Sequence, residues 1–258
     1  MRNCTVVRVF TVGDSGGNPL GVVTDSTGLD SSTMQQIAAD LGFSETTFTE
    51  WAEGETPSLR IFTPAAEMPF AGHPLVGTAW VLNRIAPVTT LQIQIGEVSV
   101  RFEDDLVWVG PPPIDQPVQS VPVTEAEALG VPATRAWRVE VPSDYLVAEV
   151  RSEADLLAAR PDADALSEAV HGLYVFTGRR LTRSRFFAPR LGVYEDPATG
   201  SAAVALCAVL RTLGVESGTE QIVQGLPGAL SEIRMTWDGL KVELGGTVVL
   251  DEVRDLPR

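Results

Sequence analysis

The spacing of apolar residues along the chain predicts helices separated by short extended segments. The predicted helices cover residues 31–40, 74–82, 123–129, 152–159, 164–170 and 201–213. Ser31 or Ser32 can cap the first helix, and Gly42 can end it, because glycine tolerates a left-handed backbone. The helix that begins at Pro74 has its proline in the first turn, where a missing N–H does no harm.

Alternating and continuous apolar runs predict strands between these helices. The strand segments are residues 6–10, 20–23, 44–49, 59–63, 91–95, 98–102, 137–141, 145–150, 173–177, 233–237, 240–244 and 247–250. Turns are predicted at Gly96-Glu97, Asp238-Gly239 and Gly245-Gly246, since glycine pairs of this kind favour tight connections. The chain therefore mixes helices and strands from end to end.

A proline-rich segment divides the chain. Five prolines lie between residues 110 and 122, and proline disfavours both helix interiors and central strands. We therefore predict a linker over residues 113–122, between an N-terminal half, residues 1–112, and a C-terminal half, residues 123–244.

One pattern occurs twice along the chain. It consists of R-x-F-x-P, a connection of differing length, and then E-x-P-x-x-G followed by an apolar helix. The first copy runs from Arg60 to Gly72 and the second from Arg185 to Gly200. Because two linked patterns recur in the same order, the sequence indicates an internal duplication.

Each copy brings a glycine to the start of a helix. Glycine allows a close approach of the backbone, and the free N–H groups and helix dipole at that end favour an anion such as a carboxylate. Two such helix starts are a candidate carboxylate site. The alternative is that both are ordinary turns between a strand and a helix, whose glycines only ease packing.

Charge and composition narrow the function further. The chain of 258 residues has a net charge of -15, which disfavours wide contact with nucleic acid. No apolar stretch is long enough to span a bilayer, and residues 1–10 lack the features of a secretion signal, so we expect a cytoplasmic protein without membrane contact. Two cysteines and two histidines are too few for a disulfide framework or a three-histidine metal centre, so we expect no metal.

Several motifs together resemble the phenazine-biosynthesis (PhzF-like) family, which is related to diaminopimelate epimerase. They are Gly17-Asn18-Pro19, Phe43-Ser44-Glu45-Thr46-Thr47-Phe48, Ala71-Gly72-His73 and Glu195-Asp196-Pro197-Ala198-Thr199-Gly200-Ser201. The resemblance implies an α/β (α+β) fold of two pseudo-symmetric halves, each a curved mixed sheet or barrel around a central helix, with the site in the cleft between them. It also implies that the last strand, about residues 245–258, can join the first half.

The resemblance further implies a cofactor-independent isomerase that moves a proton on a small, cyclic or aromatic-like carboxylate. Its implied catalytic residues are Glu45, His73 and Asp196, and its implied substrate-binding residues are Gly72, Gly200, Ser201 and Asn18. Glu45 would be the acid/base, since desolvation in an apolar cleft raises the pKa of a carboxyl group toward neutrality. A homodimer is a further expectation from the family.

The sequence departs from the related epimerases where they place two catalytic cysteines. Those positions hold Ala71 and Thr199, which disfavours racemisation by two thiols. Cys207 lies inside a helix, where we expect it to pack as a small apolar residue. Ala229 stands where many family members have arginine, so the phenazine substrate is not assumed.

Two other functions are considered beside the isomerase. One is a non-catalytic carboxylate-binding protein of the same fold. The other is a metal hydrolase that uses His73 and the carboxylates, which would require metal in the purified protein.

Overall fold

The chain forms two compact units. A computed structural model describes residues 2–52, 54–113, 117–140 and 143–256. Unit 1 comprises Met1–Pro112 and Glu243–Arg258, and unit 2 comprises Pro113–Val242. Within the described residues, no helix is both long and apolar enough to cross a membrane.

Unit 1 is a mixed sheet with two helices. Its elements are β1 (Asn3–Val9), β2 (Asn18–Val23), α1 (Ser31–Leu41), β3 (Glu45–Glu50), β4 (Ser58–Phe62), β5 (Glu67–Met68), α2 (Gly72–Asn83), β6 (Thr90–Ile93), β7 (Gly96–Glu103) and β8 (Leu106–Gly110). The strand order is β18-β1-β2-β3-β4-β6-β7-β8-β17, and β5 pairs with β4. From Glu243 onward, strands β17 (Lys241–Gly246) and β18 (Val248–Asp255) return to this unit and complete it.

Unit 2 repeats this topology. Its elements are β9 (Val118–Val121), α3 (Thr124–Glu127), β10 (Ala133–Glu140), β11 (Asp144–Val150), α4 (Glu153–Ala158), α5 (Ala163–Ala169), β12 (Gly172–Thr177), β13 (Leu181–Ala188), β14 (Val193–Asp196), α6 (Gly200–Thr212), β15 (Ser217–Gln224) and β16 (Ser231–Asp238). The order β9-β10-β11-β12-β13-β15-β16 has the same sequence of parallel and antiparallel pairings as β18-β1-β2-β3-β4-β6-β7. The duplication found in the sequence is therefore a duplication of topology.

Each sheet curves round one buried helix. Helix α2 packs against β1, β2 and β3 and against β8 from the far end of the strand order, and α6 packs against β9, β10, β11 and β16. Residues 200–210 of α6 are all buried, and in α2 only Trp80 and Asn83 are not. The strongly apolar composition of these helices thus reflects burial on every face. The predicted fold class is confirmed.

The duplicated arginine and glutamate pair with each other inside each unit. Arg60 donates two hydrogen bonds to Glu67, at 2.7 and 2.6 Å, and the hydrogen bonds lower the pKa of Glu67. Arg185 donates two hydrogen bonds to Glu195, at 2.8 and 2.7 Å. Both pairs join neighbouring antiparallel strands, β4 to β5 and β13 to β14, just before the buried helix begins.

Three local predictions were wrong. The cap of α1 is Asp30, whose carboxylate accepts from the backbone N–H of Thr33, because aspartate one residue earlier reaches the free N–H groups. The β6–β7 turn lies at residues 94–95, since Ile93 pairs with Gly96. Gly245-Gly246 continues β17 instead of turning.

The glycines at the end of β17 serve packing. A Cβ atom at Gly245 would lie 2.5 Å from the ring of Trp108, and one at Gly246 would lie 2.2 Å from the ring of Phe10. Both distances are shorter than any non-bonded carbon contact, so aromatic rings occupy the space that side chains would need. Elsewhere, the predicted linker over residues 113–122 contains β9, while residues 114–116 lie outside the described ranges.

Candidate active site

Glu45 and His73 meet inside unit 1. Glu45 is the first residue of β3, and His73 is the second residue of α2. The imidazole Nε2 lies 3.3 Å from the carboxylate Oε2, and the two side chains are 4% and 15% exposed, in the order His73, Glu45. The predicted acid/base is therefore almost enclosed and has a titratable neighbour within contact distance.

His73 is uncharged at neutral pH. Desolvation by burial lowers its pKa from 6.5 to about 3, although a hydrogen bond to the backbone of Pro19 opposes the shift. The positive end of the α2 dipole also disfavours an imidazolium at this position. The contact between His73 and Glu45 has the length of an ion pair, but the neutral imidazole makes it a contact between a carboxyl group and a dipole.

Asn18 and Ser44 support His73 from the other side of the ring. The Asn18 side chain is fully buried, and its Nδ2 lies 3.3 Å from Nδ1 of His73. Ser44 donates from Oγ to Oδ1 of Asn18 at 2.7 Å, which turns the Nδ2 group toward the imidazole. Ser44, Asn18, His73 and Glu45 thus form a continuous chain of polar contacts.

The corresponding helix start in unit 2 holds a different set of groups. Asp196 ends β14, and Thr199 precedes α6, which begins with Gly200 and Ser201. The Ser201 Oγ lies 3.0 Å from the hydroxyl of Tyr145, and both side chains are buried. Ser201 occupies in the repeat the place that His73 occupies in unit 1.

Thr199 is bonded to Asp196 rather than to its helix. Its hydroxyl donates to Asp196 Oδ2 at 2.5 Å. Threonine often caps a helix through its side chain, but within the described residues this hydroxyl makes no such bond to α6. The Thr199 side chain therefore does not occupy the first N–H groups of α6.

The repeat is symmetric in topology but not in chemistry. Glu45 pairs with Leu20 in the parallel β2–β3 ladder, and the equivalent pair in β11–β12 is Tyr145 with Gly172. A Cβ atom at Gly172 would lie 2.3 Å from the ring of Phe186, so no carboxylate fits at that position of unit 2. The acid/base candidate of β3 is thus specific to unit 1.

Neither cysteine is suited to proton transfer. Burial raises the pKa of Cys4 to about 11 and that of Cys207 to about 12, so both are thiols at neutral pH. In the part of the chain that the structure describes, no three His, Cys, Asp or Glu side chains converge as a metal site.

Comparison with known proteins identifies the family. Residues 7–249 match the family model described as phenazine biosynthesis-like protein. The chain belongs to this family. The trans-2,3-dihydro-3-hydroxyanthranilate isomerase of Pseudomonas chlororaphis is 34% identical over 242 residues, covering 88% of this chain and 86% of that protein. The isomerase of the same name from Pseudomonas fluorescens is 35% identical over 243 residues, with the same coverage.

Solved structures agree with this membership. A phenazine-biosynthesis PhzF family protein from Enterococcus faecalis superposes with a TM-score of 0.82 at 28% identity, covering 98% of this chain and 97% of that one. A probable proline racemase from Agrobacterium radiobacter has a TM-score of 0.69 at 11% identity and covers 100% of this chain and 93% of that one, which shows the fold alone. The chain is an isomerase of the phenazine biosynthesis-like family, with an epimerase-like fold.

The structure brings the sequence-predicted residues together in two groups. Glu45, His73 and Asn18 form one group in unit 1, next to the first residue of α2, Gly72. Asp196, Gly200 and Ser201 lie at the start of α6 in unit 2.

Sequence reasoning missed several residues that contact these groups, among them Ser44, Tyr145 and Gln224. Ser44 lies beside Glu45 in one of the motifs that resemble the family, and Gln224 begins the glycine-rich stretch that contains Ala229. The sequence around both residues could therefore have indicated a place near the site. Tyr145 had no such signal, because its contact with Ser201 spans 56 residues. Ala229 is an exposed turn residue whose N–H donates to the carbonyl of Leu226.

Proposed function

We propose that this isomerase moves a proton on a small, cyclic, carboxylate-bearing molecule of the dihydro-hydroxyanthranilate type, with Glu45 as the acid/base. Membership of the family and the names of the two Pseudomonas relatives support this substrate class. The contact between Glu45 and the uncharged His73 is the observation that carries the assignment of Glu45.

The reaction balances with one carboxyl group. As a carboxylate, Glu45 takes a proton from one ring carbon of the substrate. The electrons of the broken C–H bond then move into the conjugated double bonds of the substrate ring. As a carboxylic acid, Glu45 returns a proton to another carbon of the same conjugated system, so the product is an isomer of the substrate. No electron is gained or lost overall, and the reaction therefore needs no redox cofactor.

A neutral histidine suits a carboxyl group that changes its protonation state. A neutral imidazole places a polar ring nitrogen, Nε2 of His73, beside the carboxyl group without a positive charge. It therefore contacts Glu45 without favouring the ionised carboxylate as strongly as a cation would. A charged imidazolium would hold Glu45 ionised and hinder the return of the proton.

The remaining predicted residues are proposed to bind the substrate. The N–H groups at the starts of α2 and α6, which begin at Gly72 and Gly200, are suited to a carboxylate. Asp196 and Ser201 offer a carboxylate and a hydroxyl for amino or hydroxyl groups. Asn18 is fully buried against His73. We therefore propose that it orients His73, in addition to the contact with substrate predicted from the sequence.

Hydrogen exchange with the solvent tests the proposal. The probe is trans-2,3-dihydro-3-hydroxyanthranilate in deuterated water, followed by mass spectrometry and by product formation. We expect deuterium in the product of the wild-type protein and a loss of about 100-fold or more in turnover for Glu45→Gln. The matched control is Glu50→Gln, at the exposed far end of β3, which should keep full turnover.

Other outcomes separate the alternatives. Full turnover by Glu45→Gln would overturn the role of Glu45. Thermal stabilisation of the wild-type protein by the probe, without exchange or product, would indicate a non-catalytic carboxylate-binding protein. Turnover that is lost on treatment with a chelator would indicate a metal hydrolase or another metal-dependent enzyme.

A further inference from the structure

Gln224 lies at the centre of the polar network in unit 2. It is the last residue of β15, and its side chain is fully buried. Its Nε2 donates to the backbone carbonyl of Asp196 at 2.8 Å and to Thr199 Oγ1 at 3.0 Å, and its Oε1 accepts from the Thr199 backbone N–H at 3.3 Å. One amide therefore ties β15 to β14 and to the residue before α6.

The orientation of this amide is fixed by its partners. If the amide were reversed, its nitrogen would face the N–H of Thr199 and its oxygen would face the carbonyl of Asp196. Both contacts would then be repulsive. Nε2 must therefore donate to Thr199 Oγ1, because an amide NH₂ group has no acceptor.

This donation decides the direction of the next hydrogen bond. Since the Thr199 oxygen accepts from Gln224, its own hydrogen points to Asp196 Oδ2, 2.5 Å away. A hydrogen bond donated to a carboxylate favours its ionised form and restricts its rotation. The direction of donation thus runs from Gln224 through Thr199 to Asp196.

We propose that Gln224 is a positioning residue, which acts through Thr199 to hold Asp196 in one orientation. The inference rests on the proposed function, in which Asp196 binds the substrate. It also explains Thr199, which stands where the related epimerases have a catalytic cysteine. Its hydroxyl is committed between Gln224 and Asp196 and serves as a link instead of a base.

Burial alone does not account for an amide at this position. Burying an amide costs free energy that only its hydrogen bonds offset, whereas an apolar side chain of similar length would have no such cost. Among the residues that the structure describes, the Gln224 side chain makes three hydrogen bonds, and all of them go to Asp196 or Thr199. The hydrogen bonds of Gln224 therefore hold the segment from Asp196 to Thr199, between β14 and α6.

The test compares Gln224→Met with Gln221→Met. Gln221 lies on the same strand and donates to Glu232, so it provides the same chemical change away from Asp196. With trans-2,3-dihydro-3-hydroxyanthranilate as probe, we expect kcat/KM to fall about 10- to 100-fold in Gln224→Met and to stay unchanged in Gln221→Met. Thr199→Val should lose as much as Gln224→Met, while Thr199→Ser, which keeps the hydroxyl, should restore most of the activity.

A double variant separates positioning from a general structural effect. If Gln224 acts through Asp196, then Asp196→Asn with Gln224→Met is no slower than Asp196→Asn alone. A further fall by the full factor of Gln224→Met would overturn the inference. Equal loss of activity in Thr199→Ser and Thr199→Val would also overturn it, and this pair remains usable if Gln224→Met does not fold.

Crystal structures give a readout that does not depend on turnover. In Gln224→Met we expect the Asp196 carboxylate to leave Thr199, and in Gln221→Met we expect it to stay. An unchanged Asp196 in Gln224→Met would overturn the inference even in an active enzyme. If the wild-type protein does not convert the probe, the proposed function fails, while these two structures still decide the role of Gln224.

Discussion

Arg185 is buried in unit 2 and forms a bidentate ion pair with Glu195, the residue immediately before Asp196. The Arg185 side chain is 1% exposed, and its guanidinium also donates to the backbone carbonyls of Leu156 and Ala159. Its counterpart Arg60 makes the same pair with Glu67 but is 35% exposed. The same motif therefore produces one enclosed and one solvated pair.

The difference in burial predicts different costs for the same substitution. Glu195→Gln leaves a desolvated guanidinium without its charge partner, so we expect a loss of about 3 kcal/mol in the free energy of unfolding. Glu67→Gln affects a partly solvated pair, and we expect a loss below about 1 kcal/mol. Urea denaturation of the two variants beside the wild-type protein measures both values, and equal losses would contradict the role of burial.

The buried His73 predicts a pH dependence of stability. Its pKa is about 3 in the folded protein against 6.5 as the ordinary value, so the unfolded chain binds an extra proton between these values. The contribution of the neutral His73 to the free energy of unfolding is therefore complete above pH 6.5. It is lost as the pH falls from 6.5 toward 3, by up to about 1.4 kcal/mol per pH unit. His73→Asn should reduce this slope, as measured by urea denaturation between about pH 4 and pH 7.

Imidazole nitrogen shifts in NMR provide the control. The chain has two histidines, so the variant His171→Gln assigns the remaining signal to His73. We expect that signal to stay in the neutral form from about pH 5 upward. A signal that titrates near neutrality would contradict an uncharged neighbour for Glu45.

At Gly77 of α2, we expect a substitution by alanine to lower the free energy of unfolding, the opposite of its usual effect in a helix. Alanine normally stabilises a helix interior by about 1 kcal/mol relative to glycine. In α2, a Cβ atom at this position would lie 2.5 Å from Leu20 Cδ2 and 2.7 Å from Val9 Cγ2. We therefore expect Gly77→Ala to lower the free energy of unfolding by about 1–3 kcal/mol.

Removal of the obstructing side chain checks the cause. In a Leu20→Ala background, Gly77→Ala should cost less than it does alone, because one of the two close contacts has gone. Strictly additive losses, measured by denaturation of the single and double variants, would argue against a steric cause.

The local elements followed from the sequence wherever their signal was local. The period of apolar residues located α1, and Gly42 ended it with the expected left-handed backbone, at a φ of 69°. The β6–β7 turn was misplaced by two residues, because hydrophobic alternation alone does not fix which residues pair. Gly245 and Gly246 look like turn residues in the sequence, but they continue β17. The reason for glycine at both positions is the close approach of the rings of Trp108 and Phe10, which only the tertiary structure shows.

The sequence by itself determined the duplicated motif, the two apolar helices and the family, and therefore Glu45, His73 and Asp196 as candidates. Tertiary structure alone placed Nε2 of His73 against Glu45 and closed the chain of hydrogen bonds from Gln224 to Asp196. The reason is physical. Periodicity and turn chemistry act over a few residues, whereas Glu45 and His73, like Thr199 and Gln224, are 25 or more residues apart and meet only when the strands pair around α2 and α6.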